Sequence, residues 1–375
     1  MKKRVLFLVA SDRYFHSHRL ELAKRVKAAG YDVVIATPKG PYVPEIEAAG
    51  LRHVAIPMVR QGRNPLDDLK TLRGLVELFH RERPDLVHNV AIKPILYGSV
   101  AAKIARVPAV VNAMPGMGYV FLNKQLLSRV LRKGVLAGFR VAFYGKNTRL
   151  ILQNPDDIET WISHGVVKRH QIALIRGAGV DVSKFTPTPE PSGPPLVVLP
   201  ARLLFDKGVG EFVEAARMVK ARGISARFAL VGEGDPGNPA SVPPDVAKKW
   251  EREGTIELFG WREDMPQVIA ESAVVCLPSY GEGLPKALLE AAACGRAIVT
   301  TNVPGCREVV QEGRNGLMVP PRNARALGDA LAKVLSDSEL RRKMGHESRV
   351  MAETEFSVDH IAAQTLDVYR ELLGR

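Results

Sequence analysis

Cysteine is scarce in this chain: Cys276, Cys294 and Cys306 are the only three in 375 residues. An odd number at no metal-like spacing excludes a disulfide framework and points to a reducing compartment. Aromatic residues are also few, at 6%, and no aromatic platform is interleaved with the basic residues, which weighs against a nucleic-acid-binding protein. The chain lacks a long apolar run. Its longest uncharged stretch, Val107 to Asn123, holds two prolines and two glycines and makes a poor transmembrane helix. The basic start Lys2-Lys3-Arg4 precedes an apolar run, Val5 to Ala10, that is too short for a signal peptide and is followed at once by Ser11-Asp12-Arg13; a first β-strand is the better reading. The protein is therefore expected to be soluble or peripheral. There is no Asp-x-Asp motif to hold a metal.

Acid is missing from one whole span. Asp85 is the last carboxylate before Asp156, and between them lie Lys93, Lys103, Arg106, Lys124, Arg129, Arg132, Lys133, Arg140, Lys146 and Arg149. These ten cations account for most of the net charge of +13 and create a field that attracts polyanions: nucleic acid, diphosphates or an anionic membrane surface. Within the span, Lys124 to Ala142 has helical spacing. Arg129, Arg132, Lys133 and Arg140 fall on one stripe, with Leu127, Val130, Leu131, Val141 and Ala142 opposite. A basic amphipathic helix reads as a membrane-surface element, although an ordinary packed surface helix is the alternative.

What is present in quantity is apolar residue, at 46% of a length that suits two domains rather than one core. Short β-branched runs alternate with helical patterns: strands at Arg4–Val9, Asp32–Ala36, Leu86–Asn89 and Ala109–Asn112, helices at Ser17–Ala29, Leu66–Arg83 and Pro94–Ala105. After a Pro-rich stretch the alternation restarts. Strands are expected at Leu196–Pro200, Arg227–Val231, Ile256–Phe259, Ala273–Leu277 and Ala297–Thr301, and helices at Gly208–Arg222 and Pro285–Ala293. Such alternation means parallel sheets with crossover helices. The expected architecture is α/β: two facing Rossmann-like domains with ligands bound at the carboxyl ends of the strands, in an interdomain cleft. The expected divisions are an N-terminal domain over 1–186, a linker over 187–195, a C-terminal domain over 196–356, and a helix over 357–375 packing back on the N-terminal domain.

Three constellations carry chemistry. In Tyr280-Gly281-Glu282-Gly283-Leu284-Pro285-Lys286-Ala287-Leu288-Leu289-Glu290 two carboxylates, Glu282 and Glu290, are separated by seven residues across a strand-to-helix turn. Gly281 and Gly283 allow close approach to a ligand, Pro285 suits the first helical position, and the helix N-terminus offers amides to an anion. In Ala201-Arg202-Leu203-Leu204-Phe205-Asp206-Lys207-Gly208, Arg202 and Lys207 follow a strand where a planar fork and a point charge can clamp a diphosphate. Gly232-Glu233-Gly234 is a further glycine turn after a strand.

In this order and spacing the three resemble the C-terminal lobe of family 4 glycosyltransferases, which have the GT-B fold, and the resemblance covers essentially the whole chain. It implies that a nucleotide-diphospho-sugar binds here. Glu282 would contact the donor sugar, Glu290 the ribose, and Arg202 and Lys207 the diphosphate. Gly283 and Leu284 would add backbone amides, with the Gly232–Gly234 turn alongside and Trp261-Arg262 where the family reads the base. Gly179-Val180-Asp181-Val182-Ser183-Lys184-Phe185 is also typical of the family. In the N-terminal lobe, Phe15-His16-Ser17-His18-Arg19-Leu20, Ile92-Lys93-Pro94-Ile95-Leu96-Tyr97-Gly98 and Met114-Pro115-Gly116-Met117-Gly118-Tyr119-Val120-Phe121 resemble a bacterial subgroup of N-acetylgalactosaminyltransferases that extend undecaprenyl-diphosphate-linked glycans. By that resemblance His16, His18, Arg19, Lys93, Gly116 and Gly118 would meet the acceptor. The loop Asn112 to Tyr119 departs from the family in holding no His, so His16, His18 or a backbone group would substitute; for each histidine, capping or packing is the alternative.

The implied reaction is transfer with retention from a UDP-sugar to a polyprenyl-diphosphate-linked acceptor. Arg202, Lys207 and helix amides would stabilise the leaving diphosphate, and no metal is expected. The expected place is the cytoplasmic, inner face of a cell membrane. A nucleotide-sugar 2-epimerase on the same architecture is the rival enzyme, and the basic N-terminal lobe weighs against it.

Overall fold

The computed structural model describes residues 2–58, 65–116, 129–235 and 237–374, and of 65–66 and 129–133 the backbone alone. The chain forms two compact units, Met1–Ala178 together with Val358–Arg375, and Gly179–Ser357.

The first unit is built on seven parallel strands in the order β3-β2-β1-β4-β5-β6-β7, with β1 at Arg4–Val9, β2 at Asp32–Thr37, β3 at Arg52–Ala55, β4 at Leu86–Val90, β5 at Ala109–Ala113, β6 at Thr148–Leu152 and β7 at Ile172–Leu174. Helices cover both faces. Val5, Phe7 and Val9 of β1 pack on one side with Phe15, Leu22, Val26 and Tyr369, and Leu6 and Leu8 pack on the other with Leu75, Leu78 and Phe79. Burial on both faces explains why these strands read as continuous apolar runs rather than alternating ones. The C-terminal helix, Val358–Leu373, lies in this unit, where Asp359 accepts from Arg25 Nε at 2.9 Å and Tyr369 is fully buried.

The second unit has six parallel strands in the order β10-β9-β8-β11-β12-β13: β8 at Leu196–Pro200, β9 at Arg227–Val231, β10 at Glu257–Gly260, β11 at Val274–Leu277, β12 at Ala297–Thr301 and β13 at Gly316–Val319. Val197 and Leu199 pack against Phe212 and Phe228 on one face, and Val198 and Val275 against Leu288, Leu289 and Phe356 on the other. Truncating a fully buried ring such as Phe212 would cost about 3–5 kcal/mol.

Several expectations change. Ser17–Ala29 is not one helix: Asp12–His18 ends at Arg19, whose φ of −128° breaks the spiral, and Leu20–Ala28 begins anew. The unit boundary falls at Ala178/Gly179, so the Pro-rich stretch lies inside the second unit. It is not a free linker, because Glu190 receives the Arg341 guanidinium at 2.9 Å and Thr188 Oγ1 accepts from Arg296 at 2.6 Å. Its composition excludes regular hydrogen bonding, not packing. The basic helix runs Arg129–Phe143, and its C-terminal half packs into the unit's own core: Phe139, Ala142 and Phe143 are buried, with Phe139 edge-on to Trp161 at 4.8 Å, while Leu127 and the side chains of Val130 and Leu131 lie outside the described residues. Val141, expected on the apolar side, is instead exposed.

Candidate donor site

In an open parallel sheet the ligand crevice opens where the strand order reverses. In the second unit that point lies between β8, which leads outward to β9, and β11, which leads to β12. The two loops leaving these strands are Ala201–Gly208 and Pro278–Pro285, and they carry Arg202, Lys207 and Glu282.

The loops are locked together by their backbones. Tyr280 N–H donates to Asp206 O at 2.9 Å, and Ser279 Oγ donates to the same carbonyl at 3.3 Å. Gly208 has φ +73°, and a Cβ there would sit 2.1 Å from Pro278 O, so only glycine lets the turn close on its neighbour. Gly305 does the same behind Glu282, with φ +81° and a Cβ position 2.5 Å from Glu282 O. Gly281 and Gly283, the glycines expected to make the tight approach, have no positive φ, and a Cβ on Gly281 would meet nothing. The steric demand sits at the flanking positions instead. Tyr280 anchors the loop further: its hydroxyl donates to Glu211 at 2.6 Å, Arg322 lies 4.6 Å over its ring, and burial with Glu211 pushes the phenol up to about 12.

This scaffold brings Lys207 Nζ to 2.6 Å from Glu282 Oε1, with both side chains mostly buried. A cation that can meet a departing diphosphate thus stands beside an acid that can hold a sugar hydroxyl. Glu290, at 7% exposure, lies in the helix Lys286–Ala293 and is paired with Lys286 Nζ at 2.9 Å. Pro285 is the N-cap of that helix, with ψ 115°, one place before its expected position. Gly283 and Leu284 lie in the turn ahead of it. Arg202 Nη1 donates to Asp235 Oδ2 at 2.7 Å, just past the Gly232-Glu233-Gly234 turn that follows β9. Trp261, after β10, is 49% exposed, and Arg262 Nε donates to Asp264 at 2.7 Å. Asp235, Lys286, Tyr280 and Glu211 are partners that the sequence reading did not find. The signal was faint: an acid directly after a glycine turn, and a Lys four residues before Glu290.

In the first unit the order reverses between β1 and β4. The residue after β4, Ala91, has φ 74° and ψ 169°, a conformation that costs a non-glycine residue about 1–3 kcal/mol and that gathers at functional sites. It opens the helix Ile92–Ile104, in which Lys93 lies 3.6 Å from Asp68. His16 is engaged by Glu45 at 2.7 Å and stacks on Tyr42; His18 stacks on Tyr14 at 4.3 Å and meets Ser17 Oγ at 2.7 Å. Both histidines thus have the packing contacts that were the alternative reading. Arg19 is only 4% exposed, and its Nε has no partner among the described residues. Beside it His88 is fully buried against Tyr369 OH at 2.5 Å, and burial with the Arg19 charge holds its imidazole well below the usual range, hence neutral. Gly116 is partly buried; Gly118 lies outside the described residues, as do the side chains of Arg129, Arg132 and Lys133. Arg140 donates to the carbonyls of His164 and Gly165 at 3.2 Å, at the C-terminal end of the helix Pro155–Ser163, where a cation complements the helix dipole. Among the described residues no group of His, Cys, Asp and Glu is placed to hold a metal, and no helix is long and apolar enough to cross a membrane.

Two doubly wound parallel sheets, each with a switch point, are the fold of GT-B glycosyltransferases. Residues 4–154 match the family described as Glycosyl transferase 4-like and residues 194–337 the one described as Glycosyl transferases group 1, so the chain carries both glycosyltransferase domains. It is 26% identical, over 99% of both chains, to the N,N'-diacetylbacillosaminyl-diphospho-undecaprenol alpha-1,3-N-acetylgalactosaminyltransferase of Campylobacter jejuni. It is 26% identical to the UDP-Gal:alpha-D-GlcNAc-diphosphoundecaprenol alpha-1,3-galactosyltransferase of Escherichia coli, over 82% of this chain and 80% of that one. Among solved structures it is similar to a glycosyltransferase from Rickettsia africae, with TM-score 0.80, 21% identity and 99% of both chains covered. Anabaena HepE in complex with UDP and glucose is similar with TM-score 0.79 and 19% identity, over 97% of this chain and 98% of that one. The epimerase and nucleic-acid readings find no support in these relatives.

Proposed function

We propose that the enzyme transfers a hexose or N-acetylhexosamine from a UDP-sugar to a polyprenyl-diphosphate-linked glycan, with retention and without a metal. The observation that carries the donor half is the Lys207–Glu282 pair at 2.6 Å at the β8/β11 switch point, with Arg202 on the same loop as Lys207. When the C1–oxygen bond to the diphosphate breaks, negative charge grows on the leaving oxygens. Lys207 and Arg202 stabilise it, and Glu282 orients the sugar. The acceptor hydroxyl attacks C1 from the face the diphosphate leaves, and its proton passes to a departing diphosphate oxygen. Glu290 binds the ribose and Trp261 lies along the base. The acceptor class follows the Campylobacter and Escherichia relatives, whose names specify diphospho-undecaprenol substrates.

A lipid-linked acceptor calls for a membrane surface, and the acid-free basic span of the first unit supports docking to an anionic inner leaflet. The buried side chains Phe139, Ala142 and Phe143 of helix Arg129–Phe143 belong to the core, so attraction rests on the cations of the span. Reversing Arg129, Arg132 and Lys133 to Glu should release the protein from anionic vesicles in sedimentation, while turnover on a short-chain soluble acceptor survives. Unchanged sedimentation would overturn the membrane part. The catalytic part is tested by a panel of UDP-sugars with and without lipid-diphosphate acceptor. A sugar added to the acceptor is expected, and a changed sugar nucleotide with donor alone would mean an epimerase.

A further inference from the structure

One carboxylate beside the donor site has no role in the reading above. Asp235 Oδ2 accepts from Arg202 Nη1 at 2.7 Å, across loops that leave the neighbouring strands β8 and β9. These loops are laced together by main-chain bonds. Leu203 N–H donates to Glu233 O at 2.9 Å, Val242 N–H to Leu203 O at 2.9 Å, and Phe205 N–H to Ala240 O at 2.8 Å. Asp235 is pinned at both ends of its own peptide unit: its N–H donates to Ser241 Oγ at 3.0 Å, and its carbonyl accepts from Asn238 N–H at 2.8 Å. The backbone that carries the acid is therefore fixed against the backbone that carries the guanidinium. A casual surface ion pair has no such support.

Only one guanidinium nitrogen is engaged. Arg202 Nε and Nη2 have no partner among the described residues, so the edge that makes bidentate bonds to phosphate is left open. We propose that Asp235 is a positioning residue for the donor: it grips Arg202 through Nη1 and presents the Nε–Nη2 edge to the diphosphate. This rests on the assignment of Arg202 to the diphosphate. Without Asp235 a long, rotamer-rich side chain has to be ordered at the moment of binding, and that ordering is taken from affinity. The negative charge of Asp235 opposes the diphosphate, but its partner Arg202 carries the compensating positive charge and both side chains keep contact with water. The same atoms could serve as a mere counter-ion that the donor must displace; that role gives the opposite sign.

Calorimetric titration with UDP of the full chain separates the two. Asp235→Ala should weaken UDP binding about tenfold, the cost of ordering one such side chain. Asp235→Asn, which keeps an acceptor oxygen, should restore most of the loss. Donor KM should rise in step while acceptor KM and the melting temperature stay at parent values. In a cycle with Arg202→Ala, the second substitution should add nothing to the first. UDP binding that is unchanged or tighter in Asp235→Ala overturns the proposal, and so does an equal loss on the Arg202→Ala background. If Arg202→Ala itself binds UDP like the parent, the assignment of Arg202 falls, and the proposal with it.

Discussion

Replacing Glu290 by Gln removes one charge from the donor site and little else. The side chain is buried to 7% exposure and keeps its shape as an amide, so no cavity opens. Its partner in the structure is Lys286 Nζ, 2.9 Å away and a third exposed. Lys286 stays solvated and a buried amide costs less to desolvate than a buried carboxylate, which offsets the lost attraction, so the melting temperature should hardly move. The loss on the ribose is larger. A hydrogen bond to a charged group contributes about 1.5–3 kcal/mol and a neutral one about 0.5–1.5. The amide should therefore lose about 1–1.5 kcal/mol, or roughly five- to thirteenfold in the Kd for UDP. Glu290→Ala, which removes the hydrogen bond altogether, should lose the full 1.5–3 kcal/mol, about 10- to 150-fold. Calorimetric titration of parent and variants with UDP, alongside a thermal melt, measures both quantities. A parental Kd in Glu290→Ala with an intact melt would refute the ribose assignment.

Activity should persist in EDTA, since Lys207 and Arg202 supply the positive charge for the leaving diphosphate; loss on chelation and recovery with Mg²⁺ or Mn²⁺ would mean the site is misread. Arg19→Met should raise the melting temperature, because a 4% exposed guanidinium with no acid partner among the described residues is a buried charge that is costly to desolvate; a lower melting temperature would show an unrecognised partner. Burial raises the Asp157 carboxyl to about 6. A folded pKa above the unfolded one means that stability is fullest below about pH 4 and falls as pH rises through 6. Asp157→Asn should therefore stabilise by about 1–3 kcal/mol at pH 7.5, nearer the low end because the helix N-terminus favours the anion, and the gain should vanish near pH 3.5 in melts across that range.

The buried strands were legible because both faces are covered. Arg4–Val9, Leu196–Pro200, Arg227–Val231 and Ala297–Thr301 stand where their β-branched runs predicted. The edge strand Glu257–Gly260 was legible too, at Ile256–Phe259, but the buried Thr148–Leu152 and two edge strands of the first sheet were not. Arg52–Ala55 has no buried residue and Ile172–Leu174 is three residues long, so neither leaves an apolar run to read. Asn323 and Asp337, whose side chains accept from the amides of Ala326 and Leu340, mark the starts of the helices Ala324–Ser336 and Ser338–Thr354, which the alternation of strands does not reveal. In the candidate donor site, the spacing of Glu282, Glu290, Arg202 and Lys207 singled out these residues but did not show which partners they have. Lys207 meets Glu282 across 75 positions and Arg202 meets Asp235 across 33, contacts that depend on strand order. Helical spacing likewise shows that one side of Arg129–Phe143 is apolar, not what covers it, and around Phe139, Ala142 and Phe143 it is Trp161 and its neighbours that do.

The most direct test is transfer itself. Purified enzyme is incubated with a UDP-hexose or UDP-N-acetylhexosamine panel and an undecaprenyl-diphosphate-linked glycan, and the lipid product is weighed by mass spectrometry and its new linkage assigned by NMR. One sugar should be added from at least one donor, in the α configuration of that donor, with UDP released and with turnover collapsing in Lys207→Ala. A product of inverted configuration would contradict the same-face mechanism, and turnover that survives Lys207→Ala would contradict the site.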